Sequence, residues 1–136
     1  MYLLDTNVVS ERRRPKPHGA VLAWIAATPA RDLYVPAIAL AEIQAGIEIT
    51  RRQNEARARE LEAWLDGISG SPNVLPMDGE AFRIWARLMH GRPDKLYEDA
   101  MIAATAIRHD LIVVTRNERD FRAFDVKVLN PFVAGT

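Results

Sequence analysis

Hydrophobic and polar residues change rhythm repeatedly along the 136-residue chain, and each change predicts an element. The apolar run in YLLD, residues 2–5, is too short for a helix and predicts a fully buried strand. ERRRPKP, with two prolines among basic residues, predicts a loop. HGAVLAWIAATP predicts a helix with Val21, Leu22 and Ile25 at core spacing. DLYVP predicts a second short strand, with Pro36 suited to the first turn of the helix that follows. That helix, AIALAEIQAGIEIT, is apolar on most sides. EARARELEAWLDGI predicts an amphipathic helix with Leu61, Leu65 and Ile68 at i, i+4 and i+7, Trp64 beside them, and a stop at Gly67 and SGSPN.

NVLPM predicts a third strand, and Asp78 the cap of a helix that runs to about His90 and ends at Gly91. DKLYEDAMIAATAIRHD predicts an alanine-rich helix. LIVVT is apolar without alternation, as expected of a strand covered on both faces. A short helical RDFRAF and a last strand in KVLNP close the pattern. Strands alternating with helices predict an α/β layer fold around a parallel sheet, in one domain. The functional crevice of such a sheet lies beyond the carboxyl ends of its strands. Asp5 stands at that end of the first strand, and Thr115, Arg116 and Asn117 at that end of LIVVT.

Composition narrows the chemistry. Lys+Arg and Asp+Glu both number 18, for a formal net charge of zero, so bulk charge does not hold this chain to nucleic acid. A polyanion site must be local or built through a bound cation. The absence of cysteine excludes disulfides, thiolate zinc sites and cysteine nucleophiles. Asp5 interrupts any apolar leader, and no run approaches the roughly 20 apolar residues of a membrane span. The expectation is a soluble, cytoplasmic domain.

Several acids then stand where packing alone does not call for them. Asp5 alone reads as a turn or cap residue, but Asn7 is already a good helix cap. At about 100° per residue Glu42 falls on one stripe with Ile38, Ala45 and Ile49, while Gln44 and Glu48 point elsewhere. A glutamate on a core stripe costs several kcal/mol unless paired, protonated or metal-bound. Asp99 lies over Ile102, Ala103 and Ala106, with Met101, Thr105 and Arg108 on the far face. Asp94, just after Pro93, is better placed to serve the helix dipole, and Glu98 reads as a solvent residue. Asp120 reads as a loop acid beyond the last main strand, with Asn117 closer to the crevice. Carboxylates gathered from such distant segments must take up protons or bind cations. An oxygen-only donor set without histidine selects Mg²⁺ or Mn²⁺. His18, His90 and His109 read as surface or capping residues.

LLDTNVVS, Glu42 within AIALAEIQAG, EDAMIAATA and VVTRNERDF stand in the order of the PIN-domain family. The chain resembles its VapC-type toxins, the FitB-like members included, from Met1 through VLNPF. The resemblance implies a three-layer α/β/α sandwich and a Mg²⁺-dependent endoribonuclease, with Mn²⁺ a possible substitute, that hydrolyses RNA with a metal-activated water. It carries the acidic cluster onto Asp5, Glu42 and Asp99, as catalytic residues and metal ligands, and puts a fourth ligand in RNERD, at Asn117 or Asp120. Asn117 stands where many relatives carry an aspartate. Thr6 and Thr115 match positions whose hydroxyls orient the carboxylates. The resemblance also implies a homodimer and a cognate antitoxin that covers an apolar groove and blocks the acidic pocket.

Arg12, Arg13, Arg14 and Lys16 follow Asp5 closely and, with Arg116, read either as solvated loop residues or as phosphate contacts beside the metal. Leu40, Ile43, Ile47 and Trp64 form an apolar surplus that either packs internally or meets a partner. A catalytically inactive PIN-like module that binds RNA or a partner is the competing function. An aspartyl-phosphate receiver or metal-dependent phosphatase would need a lysine at the crevice, and Lys16, Lys95 and Lys127 do not stand at a strand's carboxyl end.

Overall fold

Leu3 and Leu4 are neighbours in a strand and must face opposite sides of any sheet they enter. In the computed structural model, which describes residues 1–133, they do so. Leu4 joins a core cluster with Val8, Val21, Ile25, Ile43, Ile47 and Leu65. Leu3 joins a second cluster, with Ile102, Ala103, Ala106, Phe121 and Phe124. Val113 and Val114 divide between the same two clusters. The sheet therefore has a core on each face, the α/β layering that alternation predicts and the three-layer α/β/α sandwich that the resemblance implies.

The strands are β1 (Tyr2–Leu4), β2 (Leu33–Pro36), β3 (Val74–Leu75), β4 (Ile112–Val114) and β5 (Val128–Leu129). All four pairings are parallel, in the spatial order β3-β2-β1-β4-β5. Tyr2, Leu3 and Leu4 pair with Ile112, Val113 and Val114. From β1 the chain builds outward to β2 and β3, and then returns to lay β4 and β5 on the other side. The order reverses between β1 and β4, so the crevice opens beyond Leu4 and Val114.

The helices are α1 (Thr6–Val9), α2 (Gly19–Ala27), α3 (Ala37–Arg51), α4 (Glu55–Ser69), α5 (Gly79–Met89), α6 (Tyr97–His109) and α7 (Glu118–Arg122). Asp78 caps α5 through the Ala81 N–H, as predicted, and Gly91 follows it with φ +76°. Leu40, Ile43 and Ile47 pack with Leu61, Trp64 and Leu65 across the α3–α4 pair, and Ile43, Ile47, Leu61 and Trp64 also line a groove beside it. Among the described residues no helix is long and apolar enough to cross a membrane.

Several local expectations are corrected. ERRRPKP is not all loop: α1 runs on into a 3₁₀ turn, Ser10–Arg13, which buries the Glu11 side chain. Two acceptor needs explain the turn, since Glu11 Oε1 takes the His18 N–H at 2.7 Å and Oε2 lies 3.6 Å from Arg14 Nε. Pro36 ends β2, in register with Leu75, and with extended backbone it caps α3 instead of entering its first turn. Helix α4 passes through Gly67 to Ser69 because packing of Leu65 and Ile68 outweighs one glycine's low propensity. Asp94 begins a separate 3₁₀ turn, Asp94–Leu96, and α6 starts at Tyr97. Asp99 thereby enters the first turn that Asp94 was expected to serve.

Candidate active site

Asp5 follows directly from β1, and its backbone N–H is held by the Val114 carbonyl at 2.9 Å. Its side chain is 4% exposed. Oδ1 accepts the Thr6 N–H at 2.7 Å; Oδ2 accepts the Thr115 hydroxyl at 2.7 Å and the Asn7 amide at 3.1 Å. Asp5 is therefore the cap of α1, and Asn7, the expected cap, lies inside the helix as a donor to it. A carboxylate offers about four lone-pair positions, so three donors leave one open, on Oδ1. Burial pushes the Asp5 carboxyl above its ordinary range, against the Thr115, Thr6 and Asn7 bonds that favour its charge. Those donors are all neutral.

A short relay extends from this residue. The Thr115 hydroxyl also accepts the Asn117 N–H at 2.9 Å, fixing the chain as it leaves β4. The Thr6 hydroxyl reaches across to Glu42 Oε1 at 2.8 Å. One dipeptide, Asp5–Thr6, thus ties a strand end to a carboxylate on α3. The stripe assigned to Glu42 needs correction: the buried residues of α3 are Ala39, Ile43 and Ile47, at i, i+4 and i+8. Ala45 and Ile49 are exposed, and so is Glu42 as a residue. Its carboxyl end turns into the crevice, where partial burial raises its pKa, Thr6 opposes the rise, and Asp5 and Glu98 add to it.

Asp99 is half-buried on the first turn of α6. Its pKa is pushed up to about 6, first by burial, then by Asp5, Asp120, Glu42 and Glu98 in that order. Every charged neighbour acting on it is an acid. On the far face of α6, Thr105 is fully buried and donates to the Met101 carbonyl at 2.9 Å, while Arg108 is exposed. Asp120, exposed on α7, acts on Asp99 through its charge, whereas Asn117 is anchored here by its backbone.

A PIN domain family model matches residues 2–127. The chain belongs to the PIN domain family. It is 36% identical to Toxin FitB of Neisseria gonorrhoeae, over 97% of this chain and 99% of that protein. It is 37% identical to VapC ribonuclease Y4jK of Sinorhizobium fredii, over 97% and 98%. In three dimensions it superposes on a chain of FitAB bound to an IR36 DNA fragment with a TM-score of 0.84, at 33% identity, covering 100% of this chain and 99% of that one.

The PIN domain's acids are assembled but not closed. Among the described residues no group of three His, Asp or Glu side chains is placed so as to hold a metal ion, which corrects the expectation of a tight cluster. The donors still fit a hydrated hard cation, because Mg²⁺ keeps several waters and takes one or two carboxylates directly. Asp5 has one lone pair free, and Asn7 Oδ1 beside it is buried without a hydrogen-bond partner. An orphaned acceptor of that kind costs about 1–3 kcal/mol, and a water carried by a cation would satisfy it.

Arginines frame the acids. The Arg116 guanidinium lies 4.0 Å from the Phe132 ring centroid, and Arg13 lies 5.6 Å from that of Trp64. Arg12, Arg13, Arg14 and Lys16 are exposed, with Arg14 beside Glu11. His18, His90 and His109 are exposed and flank or end helices, in keeping with their predicted surface and capping places. Sequence reading gave Asn7 a capping place, put Glu98 in solvent, where its exposure bears it out, and gave Glu11 no role. Asn7 carried a signal, since an amide two residues after a strand-end aspartate is well placed to bond it. Glu98 carried adjacency to Asp99 alone, and nothing in the periodicity marks Glu11 as buried.

Proposed function

We propose that this PIN domain is a divalent-metal-dependent endoribonuclease that serves as the toxin of a toxin–antitoxin pair. The observation that carries the reading is the unneutralised set of acids: Asp5, Glu42, Glu98 and Asp120 all raise Asp99, with no basic residue among them. A scaffold gains nothing from such repulsion, whereas a site that takes a cation and a phosphodiester needs it. Relatives named as a toxin and as a VapC ribonuclease support it, as does the solved FitAB assembly. The cytoplasm is the compartment this reading requires.

Mg²⁺ or Mn²⁺, when bound, lowers the pKa of a coordinated water and neutralises phosphate charge. The chain's own residues do the rest. Asp5 and Asp99 would hold the cation, with Asp120, or the Asn117 amide, as a further ligand. Thr115 and Asn7 fix the Asp5 carboxylate, and Thr6 aims Glu42. Glu42, raised and open to solvent at its stem, is placed to take up a proton. Arg116, backed by Phe132, and Arg12, Arg13 and Arg14 hold flanking phosphates. Incubating the purified protein with RNA and Mn²⁺, with and without EDTA, tests the reading. Cleavage that EDTA stops is expected; binding without cleavage would make the chain an inactive RNA-binding module instead.

A further inference from the structure

A groove of about 530 Å³ opens between α3, α4 and the turn after α1, and one end of it is the candidate site, at Thr6 and Glu42. Glu42, Gly46 and Thr50 line it at i, i+4 and i+8. It therefore follows α3 for about 12 Å, at 1.5 Å per residue. Its floor is bare at mid-length, since a Cβ at Gly46 would meet no atom within 4 Å. Arginines stand on the opposite wall. Arg57 Nη2 donates to the Arg13 carbonyl at 2.6 Å and pins the turn, which sets the Arg13 guanidinium beside the Trp64 indole.

Cations that track a backbone and an aromatic face that takes a base are the two parts of a single-strand binding surface. Here both lie on one groove that ends at carboxylates. The lining carries Arg13, Arg14 and Arg57 against the acid Glu42; Arg14 lies by Glu11 and Arg57 by Glu60, so Arg13 is the arginine that complements a polyanion. We infer that this groove seats the single-stranded RNA flanking the cleaved bond, with a phosphate on Arg13 and a base on Trp64. The inference rests on the nuclease reading for the position of the cut, but its test reads binding alone.

Gly46→Leu places a side chain in the open floor, one turn from Glu42, favours the helix and replaces no carboxylate. Affinity is measured by fluorescence anisotropy of a short labelled single-stranded RNA in EDTA, where no cleavage occurs. The parent is expected to bind, and Gly46→Leu to bind roughly tenfold or more weakly, the size of one lost base stack, at an undiminished melting temperature. Arg13→Gln should flatten the slope of log affinity against log salt by about 0.7, one phosphate contact on a single strand. A parent that fails to bind, or a Gly46→Leu variant that binds as the parent does, overturns the inference; in the second case the groove is left to a polypeptide. Restoring Mn²⁺ to the parent separates the two readings. Binding without cutting sinks the nuclease while the groove stands, and cutting with unaltered Gly46→Leu binding does the reverse.

Discussion

Helix α3 carries one member of each of two carboxylate clusters, Glu42 and Glu48, and the clusters are electrostatic opposites. Around Glu48 the charges are matched. Arg51 meets Glu48 at 3.1 Å, Glu55 at 2.9 Å and Glu62 at 3.0 Å, while the Gln44 amide donates to Glu48 at 2.7 Å and to Glu62 at 2.8 Å. Arg51 holds Glu48 below the ordinary range, with Gln44 assisting, and Gln44 does the same for Glu62, with Arg51 assisting. Around Glu42 the charges are unmatched, and burial with neighbouring acids moves Glu42 and Asp99 the other way. The same fold thus supplies a guanidinium where carboxylates fasten two helices and withholds one where strand ends meet. That contrast, repulsion beside a working example of its remedy, is what the proposed cation site rests on.

The largest expected effect separates two aspartates within the crevice. Asp99→Asn and Asp5→Asn should each lower RNA cleavage by about 10²-fold or more, the scale on which a positioned acid or base contributes. Their heat stability should diverge. Asp99→Asn removes repulsion and costs no hydrogen bond, so its melting temperature should rise. Asp5→Asn sets an amide nitrogen among three donors, and one mismatched buried group costs about 1–3 kcal/mol, so its melting temperature should fall. Equal shifts would show that the two acids share one environment and that the hydrogen-bonded cage around Asp5 has no separate weight.

A metal titration comes next in size. Thermal melts with Mn²⁺ at a hundred times its dissociation constant should show about 2.7 kcal/mol of added stability, absent from Asp99→Asn. Arg51→Met should lower the metal-free melting temperature modestly by leaving Glu48 and Glu62 with the Gln44 amide alone and Glu55 with Arg59, yet leave the Mn²⁺ increment intact. An increment that vanished with Arg51 would mean that the two clusters are one electrostatic system, and the contrast between them would fail.

Much of this arrangement is legible in the sequence because periods of 2 and 3.6 report burial. LIVVT without alternation announced a strand covered on both faces, and its pairing with YLLD brought Asp5 and Thr115 together as strand-end logic requires. What eluded the pattern was set by partners rather than by period. Glu42 was assigned to a buried stripe, although Ala39, Ile43 and Ile47 make a better one, because AIALAEIQAG is apolar on most sides and its phase is ambiguous. Asp5 and Asn7 are both good caps, and only the Thr115 hydroxyl, 110 residues away, decides between them. Glu11 is buried because a backbone N–H seven residues on needs an acceptor. The spacing of the acids was equally unreadable, since residue spacing along the chain does not encode distances across the crevice.

The smallest effect is also the one that sharpens the contrast most finely, because the clusters should titrate in different windows. Asp99 has an ordinary value of 3.8 and a folded value of about 6. Between those values the folded chain keeps a proton that the unfolded chain has lost, so stability from this group is full below about 4 and is lost as pH rises through about 6. Glu42 is raised in the same direction. Glu48 and Glu62 are lowered from 4.5, so their contribution is present above that value and disappears only as pH falls beneath it. In EDTA, then, the melting temperature should rise modestly from pH 7 to pH 5 and turn downward below about 4.5. Asp99→Asn should flatten the first limb and spare the second; Arg51→Met should do the opposite. A parent whose melting temperature falls steadily from pH 7 to pH 5 would show that the crevice carboxylates are already neutralised from within, and nothing would be left for a cation to do there.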